Sequence, residues 1–441
     1  MKTRNAVSLF SSAGIGELGV KANNIKIVAS SELLADRHKL YQTNFPDTKC
    51  FLGDIWSRKE EIVEFAKQAN GNDELFLVYA TPPCQGMSSN GRGRLSHGVR
   101  TGNRSPIDER NRLIIPTMDI IKQLRPRWVL LENVPGMRNT VIEDNDGVDI
   151  NIMDHIEQVL GEDYVGKGEV VCCSNYGVPQ LRKRLITIYT RDAAGINYFR
   201  RNGNSFFSTE DRMPLITLKE AVGHLPPLEA KRGFEAAPEY SHLHRVPILK
   251  DEKYWWIANT PEGNTAYNNQ CCNPRCMSQR NPLHTDVFED NRWQSNKKTP
   301  LYCVDCGELL PRPSLIDKTT GERRLIKGFH SAYRRIVWDE PARALTKNYI
   351  YEASDNKIHP NQNRVLSMLE ALIVQTVEKF DYSFEIDGKH ISTKLFAEII
   401  GESVPPTLIE MLCRKFIKLD ENNKTKKSEI DNGEGQLALP I

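Results

Sequence analysis

Residues 75–86, with the sequence LFLVYATPPCQG, contain the pattern that decides the fold of this chain. The run from Leu75 to Tyr79 is short, apolar and rich in strand formers, and two prolines and a glycine follow soon after it. This pattern predicts a buried parallel strand that ends in a rigid turn. Cys84 then lies at the carboxyl edge of a sheet, where the prolines hold its thiol in one orientation. The arrangement favours a nucleophile, although a buried cysteine that only packs in the core is the common alternative.

Length and composition allow a large core and more than one domain. The chain has 441 residues, of which 39% are hydrophobic and 26% charged, and its net charge is +2. A nearly neutral chain would meet nucleic acid through local basic patches and not through its whole surface. Ten cysteines without an apolar leader indicate a reducing cytoplasm. Because no run approaches ~18 apolar residues, we expect no membrane span.

Short apolar runs alternate with helical segments along the first 190 residues. Such alternation predicts a doubly wound, mostly parallel α/β sheet, whose ligands bind beyond the carboxyl ends of the strands. The predicted strands are Ala6 to Phe10, Ile25 to Ala29, Cys50 to Leu52, Leu75 to Tyr79, Trp128 to Leu131, Val170 to Cys173 and Leu185 to Tyr189.

A glycine-rich turn follows the first run. The segment from Gly14 to Gly19 satisfies the spacing G-x-G-x-x-G, and Glu32 ends the second run, a combination that suits a nucleotide cofactor. Asp54 ends the third run, where its carboxylate can accept the amine of an adenine while Ile55 packs on the ring. Taken alone, the turn also fits a dehydrogenase with a dinucleotide cofactor, or an ordinary strand-to-helix connection.

Two further motifs place charged side chains at predicted strand ends. Glu132 ends an apolar run and is followed by Val-Pro-Gly, so we expect it to be desolvated and able to share a proton. Arg182 and Arg184 share one face if they lie on a strand, and their planar guanidinium groups suit a carboxylate, a phosphate or a carbonyl. Residues 88–112 interleave glycines with arginines, which predicts a basic loop that can close on a phosphate backbone.

Three of these motifs together resemble the catalytic motifs of the DNA cytosine-5 methyltransferases, in that family's order. They are Thr81-Pro82-Pro83-Cys84-Gln85-Gly86-Met87-Ser88, Glu132-Asn133-Val134 and Gln180-x-Arg182-x-Arg184. The resemblance covers residues 7–191 and resumes near residue 359. It implies an S-adenosylmethionine-dependent methyltransferase (Rossmann-like) α/β sheet with a smaller, irregular target-recognition domain. S-adenosyl-L-methionine then replaces the dinucleotide as the expected cofactor.

The resemblance also implies a mechanism. The thiolate of Cys84 adds to carbon 6 of a cytosine flipped out of duplex DNA, carbon 5 receives a methyl group, and the thiolate leaves. By the same comparison, Glu132 contacts ring nitrogen 3 and the exocyclic amine, and Arg182 holds the carbonyl oxygen at position 2. Gln85 and Arg184 complete the implied catalytic set.

The implied cofactor site draws on three parts of the chain. Its residues are Phe10, Gly14, Gly16, Glu32, Asp54, Ile55, Pro83, Ser403 and Val404. Within this set Glu32 takes the ribose. The chain departs from the family at Ser12 and Ile15, where glycine is frequent, and at Glu402, where asparagine is usual.

The pattern divides the chain into four parts. Residues 1–190 form the catalytic and cofactor-binding domain, and residues 191–350 form the target-recognition domain, which reads base edges in the major groove. Residues 351–419 return to the catalytic domain and include a helix from Val365 to Val377. Residues 420–441 form a polar, disordered tail.

Four cysteines in the target-recognition domain predict a structural zinc ribbon over residues 271–306. The expected ligands are Cys272, Cys276, Cys303 and Cys306. Cys271 and His284 are spare ligands, and unrelated surface thiols are the alternative. Basic residues at 323–327 and 334–335 are candidates for phosphate contacts, or for a solvated face.

The sequence thus predicts a site-specific DNA cytosine-5 methyltransferase. We expect it to act as a monomer on double-stranded DNA, without a membrane, in the cytoplasm in association with the nucleoid. A cognate restriction or phage-defence system is its expected biological partner. An RNA (tRNA) cytosine-5 methyltransferase and a catalytically silent DNA-binding relative remain alternatives, and the large middle region favours the DNA enzyme over compact tRNA-modifying relatives.

Overall fold

The computed structural model describes residues 4–83, 108–289, 292–296, 298–326, 328, 331–354 and 356–433. Cys84, Gln85 and the glycine- and arginine-rich stretch up to residue 107 lie outside the described residues. The structure therefore describes the chain up to Pro83, the residue before the predicted nucleophile, and resumes at residue 108.

A seven-stranded sheet forms the centre of the molecule, with the order β3-β2-β1-β4-β5-β10-β8. The strands, in chain order, are β1 Arg4–Leu9, β2 Ile25–Glu32, β3 Lys49–Leu52, β4 Leu77–Ala80, β5 Trp128–Asn133, β6 Val141–Glu143, β7 Asp149–Asn151, β8 Val165–Cys172, β9 Gln180–Leu181, β10 Lys183–Thr190, β11 Asp286–Glu289, β12 Arg292–Ser295, β13 Ser314–Ile316, β14 Arg323–Leu325, β15 Ala342–Arg343, β16 Glu385–Ile386 and β17 Lys389–His390. Each of the seven predicted runs overlaps a strand of this sheet, which confirms the α/β fold class.

The first five strands of the sheet pair in parallel, and the last two pairings are antiparallel. β10 pairs antiparallel with both β5 and β8. The seventh run in the sequence therefore lies inside the sheet and the sixth lies at its edge. As a result, the start of β10 meets the carboxyl end of β5, which is the edge where ligands bind in sheets of this type.

Helices cover both faces of the sheet. They are α1 Glu17–Lys21, α2 Ala35–Asn44, α3 Ile55–Asn70, α4 Ile114–Leu124, α5 Ile152–Leu160, α6 Ala193–Arg201, α7 Leu218–Val222, α8 Asp251–Ala258, α9 Met368–Val374, α10 Thr393–Glu402 and α11 Pro406–Gly433. Helices α3, α4 and α5 pack on one face, and α1, α6 and α11 pack on the other. In β5, Trp128 and Leu130 point to one core while Val129 and Leu131 point to the other. Burial on both faces explains why this run is continuously apolar.

The middle region, residues 202–350, has short elements and small separate apolar clusters. Buried arginines connect its segments. The guanidinium of Arg335 donates to the carbonyl oxygens of Thr260, Ile257, His359 and Gln362 over 2.6 to 2.8 Å. Such an arginine satisfies backbone carbonyls in a region whose described strands pair only in short ladders of two to four residues.

The carboxyl-terminal part differs from the sequence prediction in two places. Helix α9 begins only at Met368, because Ser367 and Glu370 form a capping box there, and it ends at Val374. The part predicted to be a disordered tail continues α11 as far as Gly433. Asp420 is buried at the side of this helix and accepts hydrogen bonds from Arg4 and Arg127. These ion pairs hold the start of the polar part of α11, whereas the first turns of this helix pack in the apolar core. No helix in the described ranges combines the length and the apolar character that a bilayer-spanning segment requires.

Candidate active site

The carboxyl ends of β4 and β5 are joined by a side chain. The amide of Asn133, the last residue of β5, donates to the carbonyl oxygen of Pro82 over 3.0 Å, and its own oxygen accepts from the amide of Val134 over 2.8 Å. Asn133 is almost fully buried, so these bonds are protected from water. The turn that leads to Cys84 is therefore held against the strand that carries Glu132. The half-buried Pro83 is the last described residue before that cysteine.

Glu132 and Arg184 form an ion pair at this edge. Nε of Arg184 lies 2.5 Å from Oε1 of Glu132, and the two side chains are 13% and 8% exposed. The antiparallel register, in which Glu132 pairs with Ile186, brings the start of β10 beside the end of β5. A carboxyl group and a guanidinium that converge in a largely dry site can serve neighbouring polar atoms of one planar ring.

Arg182 lies in a different environment. Arg182 is only 1% exposed, and its guanidinium donates to the carbonyl oxygens of Leu345, Gly401 and Ser403 over 2.8 to 3.0 Å. It therefore anchors the returning chain, an environment that differs from the substrate contact that the resemblance implies for Arg182. The guanidinium at the active edge belongs to Arg184. Since both arginines fit the same motif, the sequence could not separate their roles.

Gln180 and Gln375 extend the anchor around Arg182. The side-chain amide of Gln180 donates to Gln375 over 2.8 Å, and its oxygen accepts from the amide of Leu345 over 2.9 Å. Gln375 in turn donates to the hydroxyl and carbonyl oxygens of Ser403. Ser403, an expected cofactor residue, is thus fixed by side chains from two other segments, and the neighbouring Val404 is buried.

The turn after β1 has an unusual backbone. Phe10, Ser12 and Gly14 have φ values of 59°, 48° and 84°, all in the left-handed region. Glycine adopts this region without cost, whereas a residue with a side chain such as Ser12 is strained there. A Cβ atom at Gly16 would come within 2.3 Å of the Tyr79 hydroxyl, so packing requires glycine there.

Glu32 lies at the end of β2, next to this turn. Its two carboxylate oxygens accept from the backbone amides of Ser12 and Leu34, each over 2.8 Å. Burial raises the pKa of this carboxyl, although the hydrogen bonds from the amides oppose that effect. The amide of Gly53 donates to the carbonyl of Glu32 over 2.9 Å. The ends of β2 and β3, with Glu32 and Asp54, are therefore adjacent.

The same edge exposes apolar surface. Leu33 is 63% exposed, whereas the expected ring contact Ile55 is buried in the core. Asp54 accepts from the amide of Trp56 and so caps α3. Carboxylates that can accept hydroxyl and amine hydrogens, beside an apolar side chain, match the polar and apolar parts of an adenosine. The residues present thus fit the expected nucleoside cofactor. The sequence-based prediction did not include Leu33, because the exposure of a side chain cannot be derived from the sequence.

Glu17 is a buried carboxyl behind the turn. It accepts from the hydroxyl of Ser8 over 2.6 Å, and Ser11 donates to Ser8 over 3.0 Å. Burial raises the pKa of Glu17 to about 7. Sequence reasoning missed this residue because a glutamate that opens a helix is ordinarily a solvated helix-start residue.

The basic residues that were candidates for phosphate contacts are mostly engaged within the protein. Arg323 pairs with Glu252, and Arg324 pairs with Asp317. Arg335 is buried, as described above, which corrects its assignment to a phosphate contact.

Four cysteine sulfurs converge in the middle region. They belong to Cys271, Cys276, Cys303 and Cys306, and all lie within 4.8 Å of one another. The sulfur of Cys271 is 3.6 Å from that of Cys306, and Cys276 is 3.8 Å from Cys303. Tetrahedral zinc with four thiolates places its sulfurs about 3.8 Å apart. Cys272 is not in this group, so the expected ligand register is corrected by one residue.

Comparisons with known proteins agree with this geometry. The family model described as C-5 cytosine-specific DNA methylase matches residues 4–418. Type II methyltransferase M1.HgaI of Avibacterium volantium is 28% identical over 419 residues, covering 93% of this chain and 97% of the relative. Type II methyltransferase M1.HphI of Haemophilus parahaemolyticus is 25% identical over 417 residues, with 94% and 87% covered.

Solved structures show the same fold. A DNA modification methyltransferase encoded within an E. coli prophage superposes with a TM-score of 0.52 at 20% identity, over 95% of this chain and all of the other. A DNMT2 variant from Spodoptera frugiperda gives a TM-score of 0.51 at 16% identity, over 94% of this chain and all of the other. At these identities the likeness concerns the fold alone.

Proposed function

Since the chain belongs to the family of C-5 cytosine-specific DNA methylases, we propose that Cys84, Glu132 and Arg184 are its catalytic residues. The protein is a DNA cytosine-5 methyltransferase: it methylates carbon 5 of a flipped cytosine in duplex DNA through a covalent cysteine adduct. The observation that supports the residue assignment is the ion pair of Glu132 with Arg184 beside the anchored turn of Pro82.

Each residue has a distinct task in this proposal. As the Cys84 thiolate adds to carbon 6, negative charge develops on ring nitrogen 3 and on the oxygen at position 2. Glu132 contacts nitrogen 3 and the exocyclic amine, and Arg184 donates to the oxygen and favours the thiolate electrostatically. After carbon 5 has received the methyl group it loses its proton, and the thiolate is eliminated. Gln85, by resemblance, completes the set.

S-adenosyl-L-methionine, the expected cofactor of this family, supplies the methyl group. We propose that Glu32 accepts hydrogen bonds from the ribose hydroxyls and Asp54 from the adenine amine, while Leu33 covers the ring. Phe10, Gly14, Gly16, Ile55, Pro83, Ser403 and Val404 complete the proposed site. The left-handed turn after β1 and the anchored Ser403 would hold two sides of this site in place for the cofactor.

Trapping of the covalent adduct tests the nucleophile. Wild-type protein incubated with S-adenosyl-L-methionine and duplex DNA that carries 5-fluorocytosine should form a complex stable to denaturant, because fluorine cannot leave as a proton does. Cys84→Ser should form none, whereas Cys272→Ser, a change outside the sulfur group, should form as much as wild type. An adduct with the Cys84 variant would refute the assignment, and methylation of tRNA but not DNA would support the RNA alternative.

The two neighbouring arginines offer a matched comparison. Arg184→Lys should keep the melting temperature within a few degrees but lower kcat by about 100-fold, because lysine cannot reproduce the guanidinium geometry at a developing charge. Arg182→Lys should instead lower the stability by about 2 to 3 kcal/mol, since buried carbonyls lose their donors. Thermal denaturation and single-turnover methylation measure both. If Arg182→Lys lowered kcat and Arg184→Lys lowered the stability, Arg182 would be the catalytic arginine.

We also propose that the four-sulfur group binds structural zinc. Its support is the convergence of four sulfurs at tetrahedral spacing in a region with little core. The site holds the loops near residues 271–276 and 303–306 together and takes no part in methyl transfer.

The adjacent cysteines Cys271 and Cys272 test the zinc site. Protein purified without chelator should hold about one zinc per chain by elemental analysis. Cys271→Ser should lower that content, while Cys272→Ser should leave it unchanged. If the Cys272 variant lost zinc and the Cys271 variant kept it, the ligand would be Cys272, as the sequence analysis expected.

The remaining assignments concern domains and partners. We propose that residues 191–350 recognise the target sequence in the major groove, that residues 351–419 complete the catalytic domain, and that one chain acts alone on its site in the nucleoid. Because the similar proteins M1.HgaI and M1.HphI are type II methyltransferases, we infer a restriction–modification role. Bisulfite sequencing of plasmid from expressing cells identifies the target, and the mass of the protein–DNA complex tests the monomer.

A further inference from the structure

Helices α2 and α10 are connected by an ion pair next to the turn that follows β1. Nη2 of Arg37, in the first turn of α2, lies 2.7 Å from Oε2 of Glu402, the last residue of α10. Nη1 of Arg37 donates to the hydroxyl of Ser12 over 3.3 Å. The amide of Ser12 donates to Glu32, the proposed ribose ligand. Ser12 thus connects the ion pair with Glu32 through two hydrogen bonds.

The backbone around Glu402 is fixed. Arg182 binds the carbonyl oxygens of both of its neighbours, Gly401 and Ser403. Gly401 packs so tightly on the backbone that a Cβ atom there would lie 2.2 Å from the amide nitrogen of Lys347. The carboxylate of Glu402 is therefore presented at a defined position, as a ligand-binding group requires.

The local charge suits a zwitterion. The second oxygen of Glu402 lies 3.8 Å from Nζ of Lys347, so one carboxylate stands between two cations. Among the described residues, Nε of Arg37 is buried without a hydrogen-bond acceptor, so a ligand would meet the Nη atoms, of which Nη1 makes only a long 3.3 Å bond to Ser12. The group can accept one more carboxylate, while Glu402 can accept an ammonium. Asparagine, the usual residue of the family at position 402, offers no charge for either interaction.

We propose that Arg37 and Glu402 bind the amino-acid end of the cofactor, Arg37 through the α-carboxylate and Glu402 through the α-ammonium group. This inference rests on the proposed cofactor site. It adds to that site a pair of residues that distinguishes ligands with the zwitterionic amino-acid part from ligands without it. The two charges of the methionine part thus each meet an opposite charge of the Arg37–Glu402 pair, which reduces the cost of burying them.

Two nucleosides separate the proposed role from a structural one. S-adenosylhomocysteine keeps the amino-acid part and lacks the sulfonium charge, and 5′-methylthioadenosine lacks the amino-acid part. Titration calorimetry gives their dissociation constants. Glu402→Gln and Arg37→Gln should each weaken S-adenosylhomocysteine about tenfold, the loss of one charge-assisted hydrogen bond, and change methylthioadenosine less than about twofold. Glu402→Asn, with the family residue, should behave like Glu402→Gln.

Asp119→Asn is the matched control. Asp119 forms a similarly exposed 2.6 Å pair with Lys59, away from the cofactor site, so this change should affect neither ligand. Equal losses for both ligands in the Glu402 variants, or no loss for S-adenosylhomocysteine, would overturn the inference. Because the ratio of the two constants is measured on one sample, partial unfolding cannot imitate the expected result. Failure of the wild type to bind either nucleoside would instead refute the proposed cofactor site itself.

Discussion

The seven-stranded sheet and the middle region of residues 202–350 are stabilised by different means. Both faces of the sheet are buried in two large apolar clusters, to which every strand from β1 to β5 contributes. Both ends of the middle region join the first of these clusters, but between residues 228 and 333 the buried apolar residues form small clusters, and buried arginines and four cysteines support them. Stability in the sheet is therefore distributed over many contacts, whereas in the middle region it is concentrated in a few polar groups.

The largest effect is expected at Arg335. Arg335→Met should lower the free energy of unfolding by about 3 to 5 kcal/mol, because four buried carbonyls and the oxygen of Asn363 lose their donor. Urea denaturation followed by tryptophan fluorescence measures the change. The control Arg125→Met, at an exposed pair with Asp163, should stay within about 0.5 kcal/mol. Equal effects would show that buried arginines do not hold the middle region together.

Glu17 tests whether the sheet also depends on one polar group. Its folded-state pKa of about 7 exceeds the value near 4.5 of a free glutamate, so its carboxyl is protonated in the folded chain and ionised in the unfolded chain between these values. Stability is therefore lost as the pH rises from about 4.5 to 7. Relative to Glu17→Gln, the wild type should lose about 2 to 3 kcal/mol between pH 5 and pH 8. Urea midpoints across this range that shift in parallel for the two proteins would contradict the expectation.

A small change in the apolar core should have a graded effect. Ile188→Val in β10 removes one buried methylene and should cost about 1 kcal/mol, because many neighbours share the loss. Thermal denaturation measures it, with the exposed Ile316→Val as the control that should cost almost nothing. A loss above about 3 kcal/mol would mean that the sheet, too, depends on single positions.

The smallest expected effect concerns the backbone of the cofactor turn. Ser12→Gly relieves a left-handed residue with φ of 48° and should stabilise the protein by up to about 0.5 kcal/mol, after the greater flexibility of the unfolded chain is counted. Ala13→Gly, at the buried neighbour outside the left-handed region, should destabilise it by about 0.5 to 1 kcal/mol. Calorimetric melting of both variants gives the comparison, and two losses of equal size would refute the strain argument.

Much of the catalytic frame could be predicted from sequence. The predicted strands, the acid at the end of β5 and the turn after β1 depend on local pattern, and the structure has them where the pattern put them. The roles of Arg182 and Arg184 could not be predicted, because two arginines at positions of one motif differ only in what the rest of the chain brings to them. The returning segment buries the first, and the end of β5 pairs with the second.

The cysteines that form the sulfur group and the length of the last helix also depend on contacts between distant segments. Cys271 and Cys272 are equivalent in sequence, and the direction of each side chain depends on the fold of the surrounding loops. The segment after residue 419 is too polar to predict a packed helix, yet Arg4 and Arg127, distant in sequence, bury Asp420.

The sequence by itself determined the α/β class, the family and the chemistry, because apolar periodicity and short motifs are local properties. The tertiary structure alone decided which arginine faces the catalytic edge, which cysteines converge, and that Arg37 meets Glu402. These are contacts between segments far apart in the chain. Burial, which determines how strongly charged groups interact, arises only after the segments have packed.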